Sequence, residues 1–301
     1  MISPKYYMNS NMMQRESAKN ILEEFSSELA LVRGKCMDIG SGPGDVTKEL
    51  LLPRLHSDVV VVGADISQYM TDYGNLNYAD DKRLSFKVFD IETELLPNEE
   101  IEQYDCVVSF SCMHWCRDIK RAFRNIYKLL RPGGKALIEF MAHHDSFESY
   151  REMKKEPQYE PYMTDINRYI PYFQYCKDSR ASLRKILEET GFHVIHCSER
   201  QTTYTYENRQ TLRAHVLAVD PFISNMPDNL KDRYMDDLMD EVMTTEIVRL
   251  HKKKQQTPEN ENKNGSEKIT LDKYYILLTY VKKPRTYPVC VKCNMHIETY
   301  L

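Results

Sequence analysis

The stretch KCMDIGSGPGDVTKELL, residues 35–51, decides the fold of this chain. An apolar segment from Cys36 to Ile39 runs into a cluster of glycines, and a helical pattern from Val46 to Leu52 follows it. Glycines in such a turn let the backbone approach a ligand closely and take positive φ angles. The order of strand, glycine turn and helix predicts the start of an α/β sheet. The spacing G-x-G-x-G differs from the dinucleotide pattern G-x-G-x-x-G, and no Lys-Ser/Thr pair follows as in a Walker loop.

Composition narrows the class of protein. The 301 residues are 42% hydrophobic and 29% charged, as in an ordinary globular protein, and the formal net charge of −4 argues against a nucleic-acid partner. No apolar run approaches the roughly 18 residues that span a bilayer, and the N-terminus has no signal-peptide pattern. Eight cysteines without a secretion signal predict reduced thiols and a cytoplasmic location. The sequence leaves the oligomeric state open, with a homodimer as one option.

Strands and helices alternate over residues 33–142, which predicts a doubly wound sheet with right-handed crossovers. A proline- and aromatic-rich segment, 143–177, is interpreted as an insertion that caps the sheet edge. Outside these two segments we predict the following elements: helices at 8–32, 179–190, 208–219 and 228–250, antiparallel strands from FHVIHCSERQTTYTY and LDKYYILLTYVKK, a mobile loop at 252–268, and a disordered tail at 284–301. The catalytic domain is predicted to be 1–283.

Ligands of doubly wound sheets bind at the carboxyl ends of the strands. Asp65 ends the second predicted strand and is placed to accept hydrogen bonds from ribose hydroxyls. Asp90 ends the third strand and is placed beside an adenine amino group. Asp38 precedes the glycine turn and is placed to meet a ligand amino group. The fourth strand runs into SFSCMHWCRD, residues 109–118, which holds the only tryptophan of the chain.

The motifs CMDIGSGPG, GADIS, FDIE and LLRPGG occur in the order found in class I S-adenosylmethionine-dependent methyltransferases, and the chain resembles that class over about residues 33–142. The resemblance implies a Rossmann-like, mostly parallel seven-stranded sheet with an aromatic-rich helical insertion over the active site. It also implies S-adenosylmethionine as the cofactor. The residues expected to contact the cofactor are Asp38, Gly40, Ser41, Gly42, Gly44, Asp65, Ile66, Asp90, Ile91, Ser109 and Phe110.

A closer resemblance extends to the final strand. Tyr7, Asn11 and Gln14 form a Y-x-x-x-N-x-x-Q pattern, and MHW-x-RD and AFRNI follow later, as in the insect juvenile hormone acid methyltransferases. These enzymes methylate the carboxylate of farnesoic acid or juvenile hormone acid. The resemblance implies that Gln14 and Trp115 hold the substrate carboxylate, with His114 beside them. The substrate is therefore expected to be a small apolar carboxylic acid, a sesquiterpenoid.

The chemistry of a carboxylate acceptor agrees with these residue types. A carboxylic acid is ionised at pH 7 and needs no general base, so its oxygen only has to be oriented. Neutral Trp and Gln N–H groups can grip it. Two alternatives stay open: another acceptor, such as a phenol, an amine or another lipid acid, with His114 as the base, or a non-catalytic protein that binds the cofactor or a lipid. Cys290, Cys293 and His296 lack a fourth zinc ligand, so no metal is expected.

Overall fold

A mixed eight-stranded sheet with helices on both faces organises this chain in the computed structural model, which describes residues 3–78, 80–245, 248–251 and 268–285. The helices are α1 Pro4–Met8, α2 Met12–Glu24, α3 Ser26–Ala30, α4 Gln68–Tyr78, α5 Ile119–Leu129, α6 Ser146–Met153, α7 Ser179–Thr190, α8 Arg209–Val219 and α9 Asp228–Thr244. The strands are β1 Lys35–Ile39, β2 Val60–Asp65, β3 Leu84–Val88, β4 Tyr104–Phe110, β5 Leu130–His143, β6 His193–Tyr206, β7 Val248–His251 and β8 Lys268–Lys282.

The strand order β3-β2-β1-β4-β5-β8-β6 confirms the predicted doubly wound α/β class. The first five strands are parallel, and β8 enters antiparallel between β5 and β6. Successive residues of β1 point to opposite faces, so Cys36 joins one apolar cluster and Met37 the other. Helices α2, α6 and α9 cover the first cluster, while α5 and α7 cover the second. The carboxyl ends of β1, β2 and β4 consequently meet at one edge.

The eighth strand, β7, is a difference from the expected seven. The helix predicted over 228–250 ends at Thr244, and Thr245 takes an extended conformation before the chain pairs with β8. Strand β8 is 15 residues long and pairs with β5 only along its second half, so β7 occupies the edge left along its first half. Backbone groups that would stay unpaired along β8 thereby find partners.

The N-terminal helix predicted over 8–32 is divided into α2 and α3, and a further short helix, α1, precedes them. A turn at Asn9–Asn11 separates α1 from α2, and Phe25 separates α2 from α3. The turn is held by its polar groups: the Asn11 side chain donates to Asp45, and the Ser10 carbonyl accepts from His215. These bonds draw the first residues over the glycine turn, which a continuous helix would not reach.

Other elements follow their predicted positions closely. The pattern from Val46 to Leu52 forms one π-helical turn, Thr47–Leu51, and then a 3₁₀ turn, because Pro53 has no N–H for a regular helix. Helix α7 ends at Gly191 with φ of +104°. Most of the segment 252–268 and nearly all of the tail 284–301, including Cys290, Cys293 and His296, lie outside the described residues. Within the ranges that are described, no helix is long and apolar enough to cross a membrane.

Candidate active site

The glycine turn after β1 is held against β2. The N–H groups of Gly40 and Ser41 both donate to the carbonyl of Ala64, over 2.7 and 3.1 Å. Gly40 has a φ of +73°, and a Cβ added there would lie 2.2 Å from Sγ of Cys112. Gly42 also has a positive φ, and there an added Cβ would meet only Tyr7, at 3.8 Å. Gly40 is thus required by both backbone conformation and space, which explains the glycine of the motif.

Asp65 braces the turn from the end of β2. Its two carboxylate oxygens each accept one backbone N–H, Oδ2 from Gly42 and Oδ1 from Ser67, both over 2.9 Å. The carboxylate is buried, and burial raises its pKa while the two backbone hydrogen bonds lower it. Each oxygen keeps a second lone pair, so the side chain can still accept a pair of ligand hydroxyls.

A cavity of about 380 Å³ opens at this edge of the sheet. Its cofactor-side wall contains six of the residues expected from the sequence, and Cys112 lines it as well. The six are Gly40, Gly42, Asp65, Ile66, Asp90 and Ile91. Asp90 is exposed there and accepts the N–H of Glu92. The remaining expected contacts, Asp38, Ser41, Gly44, Ser109 and Phe110, do not line the cavity.

Those five residues lie behind the cavity wall. Asp38 accepts a 2.6 Å hydrogen bond from Thr47, and burial raises its pKa to about 7. Ser109 donates to the carbonyl of Ile39 over 2.8 Å, and Phe110 belongs to the core. An added Cβ at Gly44 would meet the ring of Phe86 at 2.3 Å. Their cofactor contacts remain predictions, while the structure shows them supporting the turn and β4.

The loop after β4 presents His114 and Trp115 to the cavity from a 3₁₀ turn, Met113–Trp115. Ser111 begins the loop with a φ of +49°, and its N–H and hydroxyl both donate to the carboxylate of Glu139. A non-glycine residue in this conformation is strained, and the buried carboxylate holds it. Burial raises the pKa of Glu139 to about 7.

His114 is a neutral donor in this setting. The N–H of Met141 donates to its Nδ1 over 3.4 Å, so the ring proton is on Nε2. The ring is 6% exposed, and burial lowers its pKa to about 3. Trp115 is half-buried, with its ring edge-on to Phe147 at 6.1 Å and 4.8 Å from the ring of His114. Hydrogen bonds between described residues do not use its indole N–H, which leaves that donor to a ligand.

Helix α2 carries Gln14 to the opposite wall. Arg15 on the same helix and Asn11, which directly precedes that helix, bind Asp45, which directly follows the glycine turn, and Arg15 also pairs with Glu49. Gln14 lines the cavity, and its buried Oε1 has no partner among the residues that the structure describes. The structure therefore brings Gln14, His114 and Trp115 to one cavity, although exactly 100 positions of sequence separate the first two.

Sequence reasoning missed two histidines of this cavity, His144 and His215. His215 donates from Nδ1 to the carbonyl of Ser10 over 3.0 Å, and His144 accepts at Nδ1 from the N–H of Ser146 over 3.2 Å. Both are buried. The pair His143-His144 before the aromatic segment was the available signal for one of them, but nothing local marked His215 on α8.

The far part of the cavity is apolar and aromatic. Its walls come from α2, β5, α6 and the segment after it, α8, α9 and β8. The residues are Met13, Met141, Phe147, Tyr150, Tyr169, Leu212, Val216, Leu238, Val242 and Leu271. Arg168 lines the cavity as well and is exposed. Pockets of roughly 300–1,000 Å³ with such linings are typical of sites for small apolar ligands. Among the described residues, no group of three or more metal-binding side chains is found.

The residues at the glycine turn fit S-adenosylmethionine. The positive φ values at Gly40 and Gly42 make a cradle without side chains, and Asp65 beside it offers two acceptor oxygens to ribose hydroxyls. Gly40, Gly42, Asp65, Ile66, Asp90 and Ile91 are the cavity residues that would hold it.

Comparisons with known proteins agree with this geometry. Residues 37–136 match the family model described as a methyltransferase domain. The chain is 32% identical to the juvenile hormone acid O-methyltransferase of Drosophila melanogaster, covering 92% of this chain and 91% of that one. It is 29% identical to that of Bombyx mori, covering 92% and 96%.

The fold is also shared with a distant solved structure. A phosphoethanolamine N-methyltransferase of Haemonchus contortus, solved with phosphomonomethylethanolamine and S-adenosylhomocysteine, has a TM-score of 0.51 at 16% identity, covering 92% of this chain and 58% of that chain. At this identity the likeness concerns the fold alone. The full-length match to the insect enzymes is what decides the family: this chain belongs to the S-adenosylmethionine-dependent methyltransferases of the juvenile hormone acid O-methyltransferase family.

Proposed function

We propose that this enzyme transfers a methyl group from S-adenosylmethionine to the carboxylate of a sesquiterpenoid acid, farnesoic acid or juvenile hormone acid. The observation that carries the proposal is one cavity that joins the glycine turn, a wall of neutral hydrogen-bond donors and a long apolar compartment. The names of the relatives support the same substrate class. The free thiols of the described cysteines agree with an enzyme of the cytoplasm.

The donors suit an ionised acid. Bound S-adenosylmethionine supplies an electrophilic methyl group on a positively charged sulfur. The indole N–H of Trp115, the amide of Gln14 and Nε2–H of His114 orient the carboxylate without adding charge. Because the carboxylate loses its charge on becoming an ester, a cationic clamp would favour the ground state over the transition state. Orientation of the two reacting groups is worth roughly 7–11 kcal/mol.

The apolar compartment accounts for the rest of the substrate. Aliphatic side chains from α2, α8 and α9 and aromatic ones from α6 remove an isoprenoid chain from water, which is worth roughly 25 cal/mol per Å² of apolar area. The same walls exclude water from the carboxylate, so the neutral donors are not replaced by solvent. A fatty acid without branches would fill this compartment less completely.

A second candidate function follows from His215. Its Nδ1 donates to the carbonyl of Ser10, so Nε2 carries a free lone pair, and the residue lines the cavity. This is the arrangement of a general base, which an alcohol or phenol acceptor would need. His114 does not suit that role, because its Nδ1 already accepts a backbone N–H. Burial lowers the pKa of His215, which weakens it as a base.

One assay separates these candidates. The purified chain is incubated with methyl-labelled S-adenosylmethionine and farnesoic acid, juvenile hormone acid, a linear fatty acid, farnesol or a phenol. We expect label in the methyl esters of the two sesquiterpenoid acids and little in the others. Label in farnesol or the phenol with none in any acid would refute the carboxylate proposal and favour a base-dependent reaction at His215.

A further inference from the structure

Both backbone polar groups of His144, the residue directly after β5, are hydrogen-bonded to one buried side chain. Its backbone N–H donates to Oε1 of Gln174 over 3.1 Å, and its carbonyl accepts from Nε2 of the same amide over 3.2 Å. Gln174 is itself 3% exposed. One buried side-chain amide thus satisfies both backbone groups of His144 and ties this residue to the segment that follows α6.

The ring of His144 is as constrained as its backbone. The N–H of Ser146 donates to Nδ1 over 3.2 Å, which places the single ring proton on Nε2. Phe147 stands edge-on to the ring at 6.1 Å, and Tyr274 lies 5.5 Å away. Burial lowers the pKa of His144 to about 3, and the nearby rings of His215, His143 and His114 lower it further. The ring is therefore a neutral donor at pH 7.

Nε2–H of His144 faces the cavity. The residue lines the cavity wall, and no partner for Nε2 is found in the described part of the chain. Nε2 is also absent from the buried polar atoms that lack a partner, so it reaches open space rather than packed protein. A ring whose orientation is fixed by its Nδ1 contact, and whose Nε2–H is open to the cavity, presents a directed donor to a ligand.

His144 and His114 are alike in their hydrogen bonding and in their burial. Each accepts a backbone N–H at Nδ1, each is 6% exposed, and each turns Nε2–H toward the same cavity. The ring of Phe147 contacts both His144 and Trp115, and Trp115 in turn lies beside His114. The two histidines and Trp115 therefore belong to one cluster of rings at the cavity wall.

We propose that His144 is a substrate-positioning donor, whose Nε2–H binds the carboxylate of the acid together with Trp115 and Gln14. This inference rests on the proposed function and extends it to a residue that the motifs do not include. A carboxylate accepts several hydrogen bonds on its two oxygens, so one oxygen can be held by His144 while the other is directed at the methyl group. Gln174 then acts as the residue that sets the position of the donor.

The test compares three variants of the full chain with the wild type. His144→Phe keeps the ring and removes the donor, while His144→Gln keeps an N–H near the place of Nε2. His193→Phe is the matched control, because His193 is exposed on β6 and does not line the cavity. Methyl transfer is measured with farnesoic acid and with juvenile hormone acid, and cofactor affinity by calorimetry.

We expect His144→Phe to lower kcat/KM about 10- to 100-fold on both acids, the loss that follows from removing a hydrogen bond to a charged group. Cofactor affinity should be unchanged, His144→Gln should recover part of the loss, and His193→Phe should behave as wild type. Equal kcat/KM for His144→Phe and wild type would refute the inference. A loss seen only with the epoxidised acid would refute the carboxylate contact, because it would mean that Nε2–H binds the epoxide oxygen of the substrate.

The failure of the proposed function gives a different result. In that case wild type itself transfers no label to either acid, before any variant is compared. If His144→Phe does not fold, partial recovery in His144→Gln decides the question. The Gln variant is then compared with His144→Asn, whose shorter amide cannot reach the place of Nε2. If both variants fold and their kcat/KM values are equal, the role of the donor is refuted.

Discussion

Trp115→Phe is the substitution that tests the proposed carboxylate site most directly. Phenylalanine keeps an aromatic ring for the edge contact with Phe147, at 6.1 Å in the native protein, and for the neighbouring ring of His114. It removes the indole N–H. Because Trp115 is half-buried in the loop after β4, the fold should tolerate the smaller ring.

The size of the effect follows from the lost donor. A hydrogen bond to a charged group is worth about 1.5–3 kcal/mol, and each 1.36 kcal/mol is a factor of ten in rate. We therefore expect kcat/KM for farnesoic acid to fall about 10- to 150-fold. The affinity for S-adenosylmethionine should not change, since its expected contacts are at the glycine turn and at the ends of β2 and β3.

Binding of the acid can be followed by tryptophan fluorescence. Trp115 is the only tryptophan, so its fluorescence in the wild type reports directly on the cavity, and it should change when farnesoic acid is added. Turnover of the Phe variant is then measured with labelled cofactor, and its folding by circular dichroism. A folded variant with unchanged kcat/KM would show that the indole N–H does not hold the acid. An unfolded variant, with Trp115→Leu also unfolded, would show that the ring is core filling.

Three further predictions test the supporting structure. Asp65→Ala removes the acceptor of the Gly42 and Ser67 N–H groups, so cofactor affinity should fall at least about tenfold by calorimetry; unchanged affinity would contradict the ribose contact. Gly40→Ala should lower the unfolding midpoint more than Gly42→Ala, because both have positive φ but only Gly40 lacks space beside Cys112. Equal losses would show that backbone strain alone matters. Burial raises the pKa of Glu139 to about 7, so its contribution to stability is present below the unfolded pKa of about 4.5 and is lost as pH rises through about 7. The free energy of unfolding is measured with urea for wild type and for Glu139→Gln. The difference between them should therefore shift against wild type between pH 5 and pH 8, by at most about 1.4 kcal/mol per unit of pKa difference. A difference that stays constant with pH would contradict the raised pKa.

The cofactor-binding half of the molecule could be predicted from the sequence because the residues that define each of its parts are close together in the chain. A buried strand, a glycine turn and a helix are adjacent in sequence. Asp65 ends the next strand, and Asp90 follows the end of β3 by two residues. Parallel strands bring their carboxyl ends to one edge whatever the rest of the fold does. Among the expected contacts, those that proved to lie behind the wall, such as Asp38 and Ser109, differ from the others only in which side of a strand they face.

The substrate half depended on tertiary structure. His215 is on α8, and its ring is oriented by the carbonyl of Ser10, 205 positions earlier. The break between α1 and α2 and the strand β7 likewise exist because distant segments offer partners for backbone groups.

Sequence alone thus determined the class of fold, the glycine cradle and, through resemblance, the pair Gln14 and Trp115. Only the tertiary structure decided that His114 and His144 are neutral donors and that His215 is an acceptor. Each of these states is set by one backbone hydrogen bond at Nδ1: the N–H groups of Met141 and Ser146 donate to His114 and His144, and the carbonyl of Ser10 accepts from His215. Such bonds depend on where a backbone N–H or carbonyl lies in the folded chain, and residue types along the sequence do not record that position.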